Sequence, residues 1–227
     1  MQRKKHDVRG FSGVMQALKE VRGPTLEDRR IIGVDGEKTL FMNFTHQVLC
    51  GTEFLDINLG SSTFIQSVLI CAKFEGVNSG VADFTRADLR EAKVVNSNMP
   101  ISLFRRADLR QAQFINTNLN EAVFDFAELE WSKFRNTNLT GATFHGAYLA
   151  RADFFRANLS YAKLYDAVDL EHATNLGHAR FYNTEVTEEQ AEFLKSVIRR
   201  PSKNSFHITS HAQEEAEKKE FLKSLGL

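Results

Sequence analysis

The chain has 227 residues, of which 29 are basic and 29 acidic, so its formal net charge is zero. The balance also holds within segments, with 9 basic and 6 acidic residues over 1–43, 13 and 15 over 44–180, and 7 and 8 over 181–227. This excludes a strongly polycationic or polyanionic segment. No long apolar run predicts a membrane span, and the basic start is not followed by the apolar region of a signal peptide, so we expect a cytoplasmic protein.

Residues 1–40 are predicted to form an N-terminal cap. Phe11, Val14 and Leu18 fall on one helical face, which Gly23-Pro24 ends, and Ile31 with the apolar residues after it leads into the next segment. A cap is expected at each end of the segment that follows, because exposed terminal apolar stacks would promote aggregation.

A five-residue repeat runs from Phe44 to Leu164 without insertion or deletion. Each of its 25 central residues is Phe or Leu, except Ser79, Val94 and Met99. The residue two positions before each centre is nearly always Ala, Ser or Thr. Since residues two apart point to the same side of an extended strand, each unit directs one small and one large side chain inward. Such a short unit buries its apolar face only by stacking on copies of itself, so the repeat predicts a solenoid.

The length of one coil follows from an asparagine that precedes every fourth centre. These residues are Asn58, Asn78, Asn98, Asn118, Asn138 and Asn158. Their spacing predicts coils of 20 residues, with the phenylalanines in two opposite columns and leucines in the columns between. Stacked amides hydrogen-bond from coil to coil, so we interpret this column as a structural ladder.

Units such as Ala82-Asp83-Phe84-Thr85-Arg86, Ala87-Asp88-Leu89-Arg90-Glu91 and Ala157-Asn158-Leu159-Ser160 resemble the A(D/N)LxX signature of the pentapeptide-repeat family. The resemblance implies a right-handed, four-sided parallel β-helix with one pentapeptide per side. It also implies a terminal α-helix that closes the core and pairs two molecules. We expect the β-helix to span 41–184, with regular coils over 42–166.

The C-terminal part is predicted to begin with a wider last coil, in which Leu170, Leu176 and Phe181 point inward. A capping helix is expected over 186–200, because Thr187 followed by Gln190 forms a capping-box pattern. The candidate cap and dimer contacts on this helix are Phe193, Leu194, Val197 and Ile198. Residues 201–227 are expected to form a partly helical tail.

Two sets of outward-facing residues are candidates for partner binding. The first is a basic group made of Arg86, Arg90, Arg105, Arg106 and Arg110. An ion-pair network with neighbouring Asp88 and Asp108 is the alternative for this group. The second set is aromatic and consists of Phe126, Trp131, Tyr148 and Phe155. Its alternative is a C-terminal segment that folds back over the rings.

No catalytic motif, cofactor site or metal site is expected in this chain, and Cys50 and Cys71 are interpreted as free thiols.

The sequence favours a non-enzymatic protein-interaction scaffold that binds an unidentified protein partner on its outer faces. One alternative, which the family resemblance implies, is that the protein protects a type II topoisomerase (gyrase) by mimicking DNA. DNA mimicry requires a strong negative field, and the balanced charge of this chain does not provide one. A delivered bacterial effector is another. Direct nucleic-acid binding is disfavoured, because carboxylates lie beside the arginines.

Overall fold

The computed structural model describes residues 30–32, 42–198 and 201–208. The predicted N-terminal helix and most of the predicted tail lie outside these ranges. Consecutive coils pair in parallel at an offset of 20 residues, which confirms the predicted coil length and the β-helix. No helix in the described part of the chain is both long and apolar enough to span a bilayer.

The four sides of the coil form four flat faces, numbered here in chain order. Residues that pair along the first face are Asn43, Thr63, Asp83, Leu103, Val123, Thr143, Lys163 and Glu185. Residues that pair along the second face are Val48, Val68, Asp88, Asp108, Glu128, Tyr148 and Val168. Residues that pair along the fourth face are the six asparagines of the predicted ladder followed by Arg180.

The third face is a six-stranded parallel sheet. Its strands, in spatial and chain order, are β1 (Arg30–Ile32), β2 (Glu53–Leu55), β3 (Lys73–Glu75), β4 (Lys93–Val95), β5 (Gln113–Ile115) and β6 (Lys133–Arg135). The strand β1 comes from the segment predicted as a cap and pairs with β2 through Arg30 and Glu53. The sheet thus begins before residue 41.

The interior is filled by the central residues of the repeat, all of which are buried. One phenylalanine column begins with Phe44 and Phe64, whose rings stack at 4.7 Å between centroids. The opposite column begins with Phe54, which meets Phe44 edge to face at 5.7 Å. Offset stacking and edge-to-face contacts are the arrangements that aromatic rings prefer. The alternation of these contacts along the rod leaves no internal space for a ligand.

Most corners between faces contain a residue with left-handed backbone angles. The corner between the first and second faces includes Phe126 (φ 58°), and the next corner includes Trp131 (φ 62°). Each of these turns rotates the chain by one side of the coil, and the side chain of the turning residue projects at the edge of a face. Corner positions therefore determine where large side chains lie on the surface.

The C-terminal coil is wider, because its backbone pairings are 21 or 22 residues apart rather than 20, as between Asp153 and Thr174. Two short 3-10 turns, Leu170–His172 and Leu176–His178, take up the extra length. The chain then forms β7 (Thr184–Val186) and the helix α1 (Glu188–Val197). The strand β8 (Phe206–Ile208) follows and pairs in parallel with β7. The described start of the tail thus forms a strand, not a helix.

The helix α1 closes the C-terminal end of the rod. Its Ala191 and Leu194 are buried against the core, whereas Phe193 and Ile198 are partly buried and Val197 is exposed. Gly177 allows the close approach, since a Cβ at this position would lie 2.7 Å from the Val197 carbonyl oxygen.

Candidate functional site

Two of the predicted arginines lie in an ion-pair ladder on the second face. The guanidinium of Arg90 donates two hydrogen bonds to Asp88, at 2.9 and 2.7 Å, and its Nε lies 3.5 Å from Asp108. Arg110 donates in the same way to Asp108, at 2.9 and 2.5 Å, and lies 3.2 Å from Glu128. Each guanidinium is thus held between carboxylates of two successive coils.

These contacts affect the titration of the Asp88 carboxyl group. Partial burial raises the pKa of Asp88, but the hydrogen bonds from Arg90 and the charges of Arg90 and Arg110 outweigh burial and hold the pKa below its ordinary value. The Asp88 carboxylate is therefore ionised at neutral pH and offsets the charge of Arg90. Little positive potential is left at Arg90 and Arg110 to attract a phosphate.

The other predicted arginines occupy different positions. Arg105 lies on the first face, where its Nε is 4.0 Å from Asp125. Arg86 and Arg106 are exposed at the corner between the first and second faces. The guanidinium of Arg106 lies over the ring of Phe126, at 5.7 Å from its centroid, which is a cation–π arrangement. The five arginines are therefore divided between the first face, the second face and the corner between them.

Three of the four predicted aromatic residues surround the second face. Phe126 and Trp131 occupy its two corners, and Tyr148 pairs with Glu128 on the face itself. Trp131 and Tyr148 have exposed fractions of 55% and 46%. Phe155 lies instead on the third-face side, next to His178 at 5.3 Å.

Phe126 and Phe155 are only half-exposed, which differs from the outward orientation expected for the aromatic set. The ring of Phe126 lies over Gly146 on the next coil, where an added Cβ would be only 2.6 Å away. It also meets the buried ring of His145 edge to face at 5.1 Å. The glycine therefore lets the Phe126 ring lie flat along the rod.

The asparagines of the fourth face form chains of side-chain hydrogen bonds. Asn98 donates to Asn78 at 3.0 Å, and Asn118 donates to Asn98 at 2.8 Å. Asn138 and Asn158 continue the chain at 2.9 and 3.5 Å. Asn58 accepts the backbone N–H of Gly60 at 3.1 Å. Asn98, Asn118 and Asn138 each donate to one neighbouring coil and accept from the other, so the middle of the fourth face offers few free polar groups.

A groove of about 700 Å³ runs along the rod between the second and third faces, and sequence reasoning did not identify it. One wall consists of the residues at the corner between the second and third faces, of which Trp131 is the last. The other wall consists of the first residues of the strands in the third-face sheet. The charged and amide side chains of the second wall include Lys73, Lys93, Gln113 and Lys133. The 20-residue spacing of these lysines was a usable signal, since it places them in one column.

Both cysteines are free, and Cys71 lines this groove. Shallow burial and the Glu91 carboxylate, 3.8 Å from its sulfur, raise the pKa of the Cys71 thiol. The thiol is therefore protonated and weakly nucleophilic at neutral pH.

A small acidic cluster lies in the wider last coil. The Nδ1 atom of His172 is 3.6 Å from Asp169 and 3.4 Å from Glu171. His172 and Glu171 are exposed, and Asp169 is half-exposed. The three side chains lie close together on the surface of the last coil.

A family model described as the pentapeptide repeat region matches residues 82–164. No curated protein matches the sequence. Among solved structures, a trypsin-treated form of QnrB1, described as a plasmid-mediated fluoroquinolone resistance protein, has a TM-score of 0.57 and 17% identity, covering 86% of this chain and 92% of that chain. HetL is a pentapeptide repeat protein involved in heterocyst differentiation regulation from the cyanobacterium Nostoc sp. strain PCC 7120. It has a TM-score of 0.26 and 19% identity, covering 78% of this chain and 97% of that chain.

The resemblance of the repeat units, the 20-residue stacking and the match over residues 82–164 lead to the same assignment. Residues 82–164 therefore match the pentapeptide repeat region, and the described part of the chain folds as a right-handed, four-sided parallel β-helix whose C-terminal end is closed by an α-helix.

Proposed function

We propose that this protein is a non-enzymatic interaction scaffold that binds a protein partner on its second face. The observation that carries the proposal is the exposure of Trp131 and Tyr148, at 55% and 46%, beside the ion-pair ladder of Arg90 and Arg110. Exposed aromatic residues next to arginines are typical of protein interfaces. Because the described interior is filled, a ligand has to bind on the outside of the rod.

The charge pattern favours a protein over a nucleic acid as the partner. Asp88, Asp108 and Glu128 neutralise Arg90 and Arg110, so the face combines paired charges with aromatic surface. A surface of this kind loses less hydration free energy on contact with a protein than one with unpaired charges, because the charges already have partners. Nucleic-acid binding depends on unpaired cations that replace counterions at phosphates.

Topoisomerase protection is a second function to be tested, since QnrB1, whose fold is similar, is described as a fluoroquinolone resistance protein. A DNA mimic needs a strong negative field. Residues 44–180 contain 13 basic and 15 acidic side chains, and on the second face Asp88 and Asp108 each lie beside an arginine of the same coil. The electrostatics therefore support the scaffold more than the mimic. A delivered effector is compatible with the same surface, and the identity of the captured partner would distinguish it.

A homodimer through α1 is also part of the proposal. Leu194 is buried against the rod, so it serves the cap, whereas Val197 is exposed and Phe193 and Ile198 are partly exposed. These three side chains provide the surface for a second copy. Sedimentation of the full chain should give a dimer that Val197→Asp converts to a monomer. A monomer at all concentrations would remove this part of the proposal.

The scaffold role can be tested by photo-crosslinking in native cells. Tyr148 on the second face is replaced by a photoreactive phenylalanine analogue. Tyr161 receives the same replacement as a matched control, because it is equally exposed, at 50%, but lies at the corner between the fourth and first faces. A protein crosslinked at position 148 and not at 161 supports the proposal. The absence of any protein at position 148, or the same proteins at both positions, contradicts it.

The topoisomerase alternative has its own assay. DNA gyrase is incubated with a fluoroquinolone and increasing amounts of the full chain, and supercoiling is measured. The scaffold proposal predicts no protection. Restored supercoiling would replace it with the second function.

A further inference from the structure

Two of the lysines that line the groove between the second and third faces make no ion pair with any described residue. Lys73 is paired with Glu75 at 2.5 Å. By contrast, no ion pair within the described ranges 42–198 and 201–208 involves Lys93 or Lys133. This distinguishes the groove from the neighbouring ladder, in which both guanidiniums are held by carboxylates.

The two unpaired lysines have a fixed spacing along the rod. Lys93 pairs with Gln113, and Gln113 pairs with Lys133, so the lysines are two coils apart, at about 10 Å. The neutral amide of Gln113 lies between them as a hydrogen-bond donor and acceptor. An extended peptide advances about 3.3 Å per residue, so two carboxylates three residues apart would match this spacing.

An exposed aromatic ring lies at the same end of the groove as Lys133. Trp131 is two residues before Lys133 on the same coil, and the guanidinium of Arg151 lies 4.5 Å from the centroid of its ring. The remaining indole surface is available to an apolar or aromatic side chain. The groove thus combines spaced cations, an amide and one aromatic surface.

Two carboxylates line the groove and offset part of its positive charge. Glu91 lies on the same coil as Lys93 and is in contact with the Cys71 sulfur, and Glu53 lies at the far end of the groove, beside Lys73 in the sheet. Between the coils of Lys93 and Lys133 the lining has two lysines and one carboxylate, so this half of the groove has a formal charge of one positive unit.

From these observations we propose that the groove binds an extended acidic peptide segment of the partner, with two carboxylates three residues apart and an apolar residue over Trp131. This proposal rests on the proposed scaffold function and specifies the partner. The carboxylates pair with Lys93 and Lys133, and the backbone between them hydrogen-bonds to Gln113. An extended anionic chain fits this site, because Lys93 and Lys133 lie in one column along the rod.

The single tryptophan of the chain makes the site directly observable, because Trp131 is the only residue that emits as tryptophan. The full chain is titrated with a blocked peptide that contains two glutamates three residues apart and a terminal leucine, and tryptophan fluorescence is recorded. The proposal predicts a saturable change that weakens when salt is raised from low to high concentration. A peptide of the same composition with adjacent glutamates, and one with lysines in place of glutamates, should bind at least several-fold more weakly.

The variants test the same contacts. The double variant Lys93→Glu/Lys133→Glu should weaken binding roughly tenfold or more, because two attractions become repulsions. The matched control is Lys203→Glu, which reverses one exposed charge in the C-terminal segment and should leave binding unchanged. Circular dichroism spectra establish that each variant is folded.

Three results would overturn the proposal. They are a fluorescence titration without response to the acidic peptide, equal binding by the double variant, and tighter binding of an oligothymidylate than of the peptide. In any of these cases, a protein crosslinked at Tyr148 would still support the scaffold function. The peptide-binding and crosslinking experiments therefore distinguish an error in the groove proposal from an error in the scaffold proposal.

Discussion

The side-chain amide of Gln190 donates a hydrogen bond to the carbonyl oxygen of Leu164 at 2.9 Å. Leu164 is the last centre of the regular repeat, and Gln190 is the third residue of α1. The same side chain accepts the backbone N–H of Thr187 at 3.1 Å and completes a capping box. One residue therefore stabilises the start of the helix and attaches it to the end of the rod.

Replacing Gln190 by Glu should separate these two roles. The carboxylate can still accept the hydrogen bond from the Thr187 N–H, but it has no N–H to donate to the carbonyl oxygen of Leu164. It would also face the carbonyl oxygen of Ala167. We expect a loss of roughly 1–3 kcal/mol in the free energy of unfolding. Thermal and urea unfolding measure it. Glu189→Gln, at the exposed neighbouring position, is the control and should change the stability by less than about 0.5 kcal/mol. Equal effects of both variants would contradict the role of this contact.

The direction of the asparagine ladder can be tested at Asn118. This residue donates to Asn98 at 2.8 Å and accepts from Asn138 at 2.9 Å. Asn118→Asp keeps the acceptor but places two oxygens against each other, so we expect a loss of roughly 1–2 kcal/mol near neutral pH. Asn43→Asp is the matched control, because among the described residues the Asn43 side chain accepts from the Thr45 backbone N–H, at 2.9 Å, and donates to no neighbouring asparagine. A ladder without energetic value would give the same melting temperature for both.

Much of this architecture could be predicted because the repeat is local and strict. The small and large residues of one unit determine its inward side, and the asparagine at every fourth unit determines the coil. The stacking of Phe44 on Phe64 and the pairing of Asn98 with Asn78 both follow from that arithmetic. The same 20-residue spacing places Lys73, Lys93 and Lys133 in one column, so it could have been used to predict this wall of the groove.

Features that depend on contacts between coils were harder to predict. The ring of Phe126 lies along the rod because residue 146, 20 positions later, is a glycine. The pairing of Arg90 with two aspartates depends on side-chain rotamers, which the repeat does not encode. The strand β8 comes after the period is lost, and it pairs with β7 through backbone hydrogen bonds that leave no sequence pattern.

Asp153 should make the stability of the C-terminal coils depend on pH. Burial raises the pKa of this carboxyl, but hydrogen bonds from Asn175 at 2.8 Å, Arg135 at 2.6 Å and the Phe155 backbone at 3.0 Å outweigh it, so the pKa lies below its ordinary value. A lowered pKa contributes stability above about pH 4, and this contribution is lost as the pH falls through the folded-state pKa.

Asp153→Asn should therefore lower the melting temperature more at pH 7 than at pH 3. Thermal unfolding of both proteins over this range measures the difference. Arg135→Gln is the companion variant, since it keeps the carboxyl and removes one hydrogen bond and one charge. It should reduce the acid-induced loss without abolishing it. Parallel pH profiles for the parent and Asp153→Asn would show that this carboxyl does not link folding to protonation.

Ile101 has a left-handed backbone conformation that disfavours its side chain. Its φ is 56° and its side chain is 46% exposed, so little burial offsets the crowding of the branched Cβ. Ile101→Gly removes the Cβ, and we expect a gain of about 1 kcal/mol in the free energy of unfolding. Ile101→Val keeps the branching and should give no gain. Urea unfolding compares the three proteins. A lower stability for Ile101→Gly would show that packing of the isoleucine, together with the entropy that glycine adds to the unfolded chain, outweighs the backbone strain.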